Sequence, residues 1–131
     1  MELKKYFILI IILNFTNFLY ADIIKPAENL TAYDVVKIQL TALKENNKPN
    51  KNSGIKQTWI FAHPENKKIT GPYKRFEKML LRDQYNLLLN HDSHRIELIT
   101  KSKNTYIYNL YNIFLGNYIC LTTKRLFFYL F

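Results

Sequence analysis

The sequence predicts an α+β fold, with helices in the N-terminal part of the chain and strands in the C-terminal part. Apolar residues return every three or four positions over residues 31–46 and 73–80, as in helices with one buried face. Residues 94–100 instead alternate imperfectly between apolar and polar side chains, which favours a strand. At 131 residues the chain has room for one domain with one hydrophobic core.

Residues 1–21 have the composition of a secretory signal peptide. They begin with a lysine pair, continue with an unbroken apolar run and end at the small residue Ala21. The apolar run is much shorter than the roughly 20 residues of a membrane-spanning helix. We therefore expect cleavage near Ala21 and export to the periplasm or the exterior, with an N-terminal membrane anchor as the alternative. Residues 22–30 are then an N-terminal linker.

The first helix is predicted over residues 31–46, with Thr31 as its N-cap. Asp34 lies three residues later, which is the spacing of a capping box. The stretch "NNKPNKNSG" after the helix is typical of a solvated loop. The residues expected on the buried face are Ala32, Val35, Val36, Gln39, Leu40 and Leu43.

The middle of the chain contains one ambiguous segment and a second helix. The stretch "IKQTWIFA" fits a short helix and a strand equally well, and Pro64 is expected to end it. The stretch "KKITGP" then predicts a turn, with Thr70 or Gly71 capping the next helix and Pro72 in its first turn. The apolar face of that helix is predicted to hold Tyr73, Phe76, Met79 and Leu80.

The tail, residues 101–131, is rich in Tyr, Ile, Leu, Phe and Asn and contains no acidic residue. Tyr and Ile favour strands, and the pattern is compatible with one or two strands around Asn117. A transmembrane helix is a weaker interpretation, because Asn and Gly interrupt the apolar run. A third interpretation is that the tail is truncated or results from a change of reading frame.

Three segments, "DVVKIQLTALKENNKPNKNSGI", "FAHPENKKITGPYKRFEKML" and "YNLLLNH", together resemble an uncharacterised family catalogued as domain of unknown function 4864. The resemblance covers about residues 31–100, which we take as a single α+β domain. Its most specific part is the motif Pro64, Asn66, Thr70, Gly71, Pro72, Arg75 and Phe76.

The resemblance implies a fold similar to the nuclear transport factor 2 and ketosteroid isomerase class, in which a cone of helices packs on a curved antiparallel sheet. It also implies several more strands after His91 and a tryptophan in the last one. Trp59 is the only tryptophan here, so the completeness of the sheet at the C-terminus stays open.

The residues that carry acid–base or metal chemistry do not form a strong motif. The stretch "HDSH", from His91 to His94, is metal-like but lacks a third distant ligand, so a turn is the simpler interpretation. Asp34 and Asp83 are isolated carboxylates, and Cys120 is the only cysteine. With three glycines the chain has no phosphate-binding glycine loop, and we expect no catalytic residue, metal or cofactor.

Positive charge is concentrated between Lys44 and Arg82, where ten basic residues accompany three acidic ones. Export would remove most nucleic acid from reach, so we expect none as a partner. The simplest interpretation is a solvated helix face, and the alternative is contact with an anionic lipid or polyanion. The residues that would make this contact are Lys67, Lys68, Lys74, Arg75, Lys78 and Arg82.

Taken together, these features favour a small exported binding or accessory module without enzymatic activity. An apolar pocket is then predicted to hold an unidentified ligand. The alternatives are an isomerase or lyase resembling the ketosteroid isomerase class, and a basic protein that binds anionic surfaces. The residues expected to line the pocket are Trp59, Phe61, Phe76, Tyr85 and His91.

Overall fold

The computed structural model describes residues 22–82, 84–103, 105–114 and 117–122. The expected signal peptide, residues 1–21, and the end of the tail lie outside this part of the chain. Within it, helices precede an antiparallel sheet, which confirms the α+β class. The helices are α1 (Ala32–Lys44), α2 (Ser53–Ile60), α3 (Pro64–Thr70), α4 (Tyr73–Leu80) and a 3₁₀ turn (Asn86–Leu88); the strands are β1 (Ser93–Ser102), β2 (Thr105–Phe114) and β3 (Asn117–Thr122).

Helix α1 forms as the sequence predicts. Thr31 accepts a hydrogen bond from the Asp34 backbone N–H, and the Asp34 carboxylate accepts one from the Thr31 backbone N–H, so the capping box is complete. The apolar stripe is buried, including Val36 and Leu40, which are fully inaccessible to solvent. The carboxylate of Asp34 therefore has a structural role at the helix start, and hydrogen bonding by Thr31 lowers its pKa.

The ambiguous segment "IKQTWIFA" forms most of α2, and the residue that caps this helix comes from elsewhere in the chain. Asn52 precedes α2 in a left-handed conformation and makes no side-chain cap. Instead, the backbone carbonyl of Asn46 accepts from the Gly54 N–H, and the Asn46 side-chain oxygen accepts from the Ile55 N–H, each at 3.0 Å. Asn46 is buried and thus joins the end of α1 to the start of α2.

The region around Pro64 differs from the expectation. Pro64 does not end α2, which already stops at Ile60; it occupies the first turn of a separate helix, α3, where its missing N–H has no cost. Gly71 ends α3 with a positive φ of 79°, and Pro72 is itself the N-cap of α4. The prediction of a turn over "KKITGP" was therefore wrong, since a seven-residue helix fills most of that stretch.

The three strands form one sheet in the order β1-β2-β3, with antiparallel pairing throughout. Strand β1 confirms the strand predicted over residues 94–100, and β2 and β3 agree with one of the interpretations left open for the tail, that of strands around Asn117. A bulge between Leu98 and Thr100 interrupts the register of β1 with β2, a feature that bends a strand locally.

The helices pack on the sheet through one hydrophobic core. Tyr108 and Leu110 of β2 are buried in one cluster with side chains of α1, α2 and α4. The buried cluster consists of Val36, Leu40, Leu43, Ile55, Phe76, Leu80, Leu88, Leu89, Tyr108 and Leu110. No helix in the described ranges is both long enough and apolar enough to cross a membrane.

Candidate functional site

The six basic residues that the sequence places on one surface divide into two groups of three. Lys68 forms an ion pair with Glu65 at 2.6 Å, and Lys74 forms one with Glu77 at 3.2 Å. The Lys67 ammonium group lies over the Trp59 ring at 5.4 Å from its centroid and donates to the Ile60 carbonyl oxygen. These three lysines are therefore already engaged within the protein.

The other three, Arg75, Lys78 and Arg82, line a common cleft of about 350 Å³. They recur at intervals of three and four along α4 and the residues after it, so they share one helix face. None of them forms an ion pair with another residue in the described part of the chain. We call this site the basic cleft; its lining residues are Ile69, Thr70, Arg75, Lys78, Met79 and Arg82, with no acidic side chain among them.

Two contacts at the corner between α3 and α4 fix the positions of residues that line the basic cleft. Thr70 is buried and donates a 2.7 Å hydrogen bond to the carbonyl oxygen of Asn66, which is also buried. At Gly71 a β-carbon would lie 3.0 Å from Cδ of Arg75, so the arginine stem packs directly over the glycine. The positive φ of Gly71 and this close contact both favour glycine at the position.

The motif that carries the family resemblance therefore builds this corner. Pro64 opens α3, Gly71 closes it, and Pro72 begins α4. Phe76 is a buried member of the core, and Arg75 reaches the cleft. The motif residues thus have structural roles, and Arg75, which packs over Gly71, also lines the basic cleft.

The predicted pocket residues lie in or near the core. Phe76 and His91 are each 2% exposed, and Phe61 is 9% exposed. Trp59 and Tyr85 are partly buried and pack against the core cluster, with the Trp59 and Phe76 rings 5.1 Å apart. Phe61 also lines a small cleft of about 220 Å³, beside Pro26, Leu30 and Lys67.

The "HDSH" stretch brings its two histidines together. Nδ1 of His91 lies 2.8 Å from the Leu88 carbonyl oxygen, and Nε2 of His91 lies 2.8 Å from Nδ1 of His94. A carbonyl oxygen only accepts, so His91 carries its proton on Nδ1 and accepts the proton of His94 with Nε2. Both nitrogens of the buried His91 are therefore used within the protein.

Electrostatics keep both histidines neutral. Burial lowers the pKa of His91, and burial together with the neighbouring His91 lowers the pKa of His94 to about 4. Lys37 and Lys44 of α1 also act on His94 and disfavour a positive charge there. The described residues contain no group of three or more metal-ligating side chains, so the pair lacks a third ligand.

The remaining candidates add little chemistry to the site. Asp92 is exposed at the turn before β1. Asp83 lies outside the described residues, and nothing is described of the side chain of Cys120, although its backbone belongs to β3. Tyr73 donates to Glu77 at 3.1 Å, and burial next to that carboxylate raises the pKa of Tyr73 to about 12.

A larger groove, which the sequence did not indicate, runs along the outer side of α1 and has a volume of about 490 Å³. One wall is the linker: the Gln57 side-chain amide accepts from the Ile24 N–H at 2.9 Å and donates to the Ile24 carbonyl oxygen at 2.8 Å. Because both Asp34 and Glu45 line the groove beside Lys37 and Lys48, its charges are mixed. The groove therefore differs from the basic cleft, whose charged lining residues are all cations.

Comparisons of the chain with models of protein families, with curated proteins and with solved structures find no match. The candidate site therefore stands on the geometry of the basic cleft itself.

Proposed function

We propose that this chain is a small exported binding module, without enzymatic activity, that recognises an anionic group in the basic cleft. The observation that carries the proposal is the convergence of Arg75, Lys78 and Arg82 in one cleft whose described lining residues include no acidic side chain. Cations held close together repel one another, and a bound anion removes that repulsion. Arginine also offers paired N–H donors that match the oxygens of phosphate, sulfate or carboxylate.

The distribution of acids on α3 and α4 supports the same proposal. Glu65 and Glu77 neutralise Lys68 and Lys74, which lie outside the cleft. Glu77 also accepts from Asn52 and Tyr73, so its carboxylate is held away from the cleft. An anionic ligand would therefore meet the three cleft cations without a competing carboxylate from either of these residues.

The titratable groups elsewhere favour binding over catalysis. A general acid or base needs a free proton-transfer position near a substrate. His91 uses both ring nitrogens in hydrogen bonds to Leu88 and His94, and Asp34 caps α1. These residues have structural partners, and no feature of their geometry favours an isomerase or lyase.

The proposal is tested by the equilibrium binding of a soluble polyanion, a heparin oligosaccharide, to the full chain. The test variant is Arg75→Gln/Lys78→Gln/Arg82→Gln, which removes the three cleft charges and retains polar side chains. We expect its affinity to fall about tenfold or more, and wild-type binding to weaken between about 50 and about 300 mM salt.

The matched control is Lys51→Gln/Lys56→Gln/Lys103→Gln. It removes the same number of charges from exposed positions outside the cleft. If the two triple variants lose affinity equally, the binding reports only net charge and the cleft is not the site. Salt-independent binding of the wild type would also contradict the proposal.

A further inference from the structure

An exposed isoleucine borders the basic cleft. Ile69, near the end of α3, has 71% of its surface exposed, more than any other large apolar residue whose exposure the structure describes. It lines the cleft together with Arg75, Lys78 and Arg82. An exposed aliphatic side chain beside three cations offers contacts that suit a ligand that is both anionic and apolar.

A second exposed apolar residue follows the last turn of α4. Leu81 is 48% exposed and follows Lys78 by three positions, which places it on the same side of the helix as Lys74 and Lys78. The region therefore presents three cations in the cleft, Ile69 beside them and a further exposed apolar side chain, Leu81, directly after α4. Anionic lipid bilayers offer phosphates at the height of the cations and acyl chains immediately below them.

From this arrangement we propose that the ligand of the basic cleft is the anionic surface of a lipid bilayer. This inference rests on the proposed function and specifies its ligand. The lipid phosphates are contacted by the three cations of the cleft, Arg75, Lys78 and Arg82. The side chain of Ile69 enters the boundary between headgroups and acyl chains. Lys68 lies next to Ile69 in the chain, and its ion pair with Glu65 is exposed enough on both sides to exchange partners at the surface.

The stems of the cleft residues fit this mode of contact. The aliphatic part of Arg75 packs over Gly71, and Met79 lines the cleft between the charged ends. Long basic side chains cover apolar surface with their stems and keep their charges in the polar layer. A soluble polyanion would use the charges alone, whereas a bilayer uses the charges and Ile69 together.

The experiment compares co-sedimentation of the full chain with two kinds of vesicle. One kind is phosphatidylcholine alone, and the other contains about 30% phosphatidylglycerol. All variants carry residues 1–21, so differences between them arise from the substituted positions. We expect Ile69→Ser to lower the partition coefficient on the anionic vesicles about tenfold and to leave heparin binding unchanged.

The control for the loss of an exposed apolar side chain is Leu98→Ser, since Leu98 is 54% exposed but lies on β1, away from the cleft. It is expected to partition like the wild type. For the Arg75→Gln/Lys78→Gln/Arg82→Gln variant we expect the partition coefficient on anionic vesicles to fall about a hundredfold, at roughly fivefold for each charge removed.

The outcomes separate this inference from the proposed function. The bilayer is not the ligand if the cleft binds heparin but the chain does not bind anionic vesicles. The same conclusion follows if Ile69→Ser partitions to anionic vesicles like the wild type. In both cases the anion-binding proposal stands. If the triple variant binds heparin and vesicles like the wild type, both are overturned. Loss of vesicle binding by Ile69→Ser with unchanged heparin binding supports both.

Discussion

Gly54 of α2 packs directly against the backbone of Ala42 in α1, so closely that a β-carbon at Gly54 would lie 2.0 Å from the Ala42 carbonyl oxygen. Neither backbone can move without separating the two helices. We predict that Gly54→Ala lowers the free energy of unfolding by at least about 3 kcal/mol, measured by urea denaturation. The exposed substitution Lys56→Ala on the same helix is the control, and equal stability of the two variants would contradict this packing.

Asn46 follows α1 in the chain and accepts hydrogen bonds from backbone N–H groups at the start of α2. Asn46→Ala removes the acceptor for the Ile55 N–H at a buried position, so the amide is left without a partner. We predict a loss of about 2 to 3 kcal/mol in the free energy of unfolding. Asn50→Ala, in the exposed part of the same loop, is expected to cost less than about 0.5 kcal/mol. A small effect of Asn46→Ala would show that Asn46 is not the cap of α2.

The histidine pair predicts a pH dependence of stability. Both pKa values are lowered in the folded state, His94 to about 4, whereas an unfolded histidine titrates near 6.5. Well above about pH 6.5 the two histidines are neutral in the folded and in the unfolded protein, so they do not change the free energy of unfolding there. Between about pH 6.5 and about pH 4 the unfolded state binds more protons, so stability falls with decreasing pH.

For His94 the expected loss from about pH 7 to about pH 5 is about 1 kcal/mol, after allowance for its partial exposure. His94→Asn retains a donor for His91 and removes the titrating group, so its stability should vary less over this range. The variant retains the charged residues near the histidines, Lys37, Lys44 and Asp92. Any pH dependence that these charges cause is therefore the same in the wild type and the variant. An identical pH profile in wild type and variant would contradict the assignment.

The side chain of Gln57 joins the linker to α2. Gln57 makes two hydrogen bonds to the backbone of Ile24, one as acceptor and one as donor. Gln57→Glu keeps the acceptor and places a carboxylate oxygen against the Ile24 carbonyl oxygen, so we predict about tenfold faster hydrogen exchange of the Ile24 amide. Lys56→Ala should leave that rate unchanged; unaltered exchange in Gln57→Glu would mean that the linker is held by other contacts.

The fold could be predicted from the sequence at those elements whose local sequence pattern matches the tertiary packing. The capping box and apolar stripe of α1 are present in the structure, and the segment that alternates imperfectly forms β1, although Leu98 and Ile99 are both exposed there. Helix α3 could not be predicted in this way, because "PENKKIT" is nearly all polar and Pro64 reads as a terminator rather than as a first-turn residue. The cap of α2 was also unpredictable, since Asn46 lies in the loop before it and acts through its side chain.

The basic cleft was only partly predictable for a similar reason. The sequence gathers six basic residues in one region, but their division into paired and unpaired groups depends on the positions of Glu65, Glu77 and Trp59. The exposure of Ile69 is likewise a property of the corner between α3 and α4, because a lone apolar residue in a helix is more commonly buried. Net charge alone does not reveal either arrangement.

The most direct test of the central claim is a titration of the ¹⁵N-labelled full chain with a heparin oligosaccharide, followed by amide chemical shifts. We predict that the largest changes are at Ile69, Arg75, Lys78 and Arg82, with little change at the control positions Lys51, Lys56 and Lys103. Saturating shifts at the basic cleft would establish it as the anion site. Shifts spread evenly over all basic residues, or centred outside the cleft, would contradict the account.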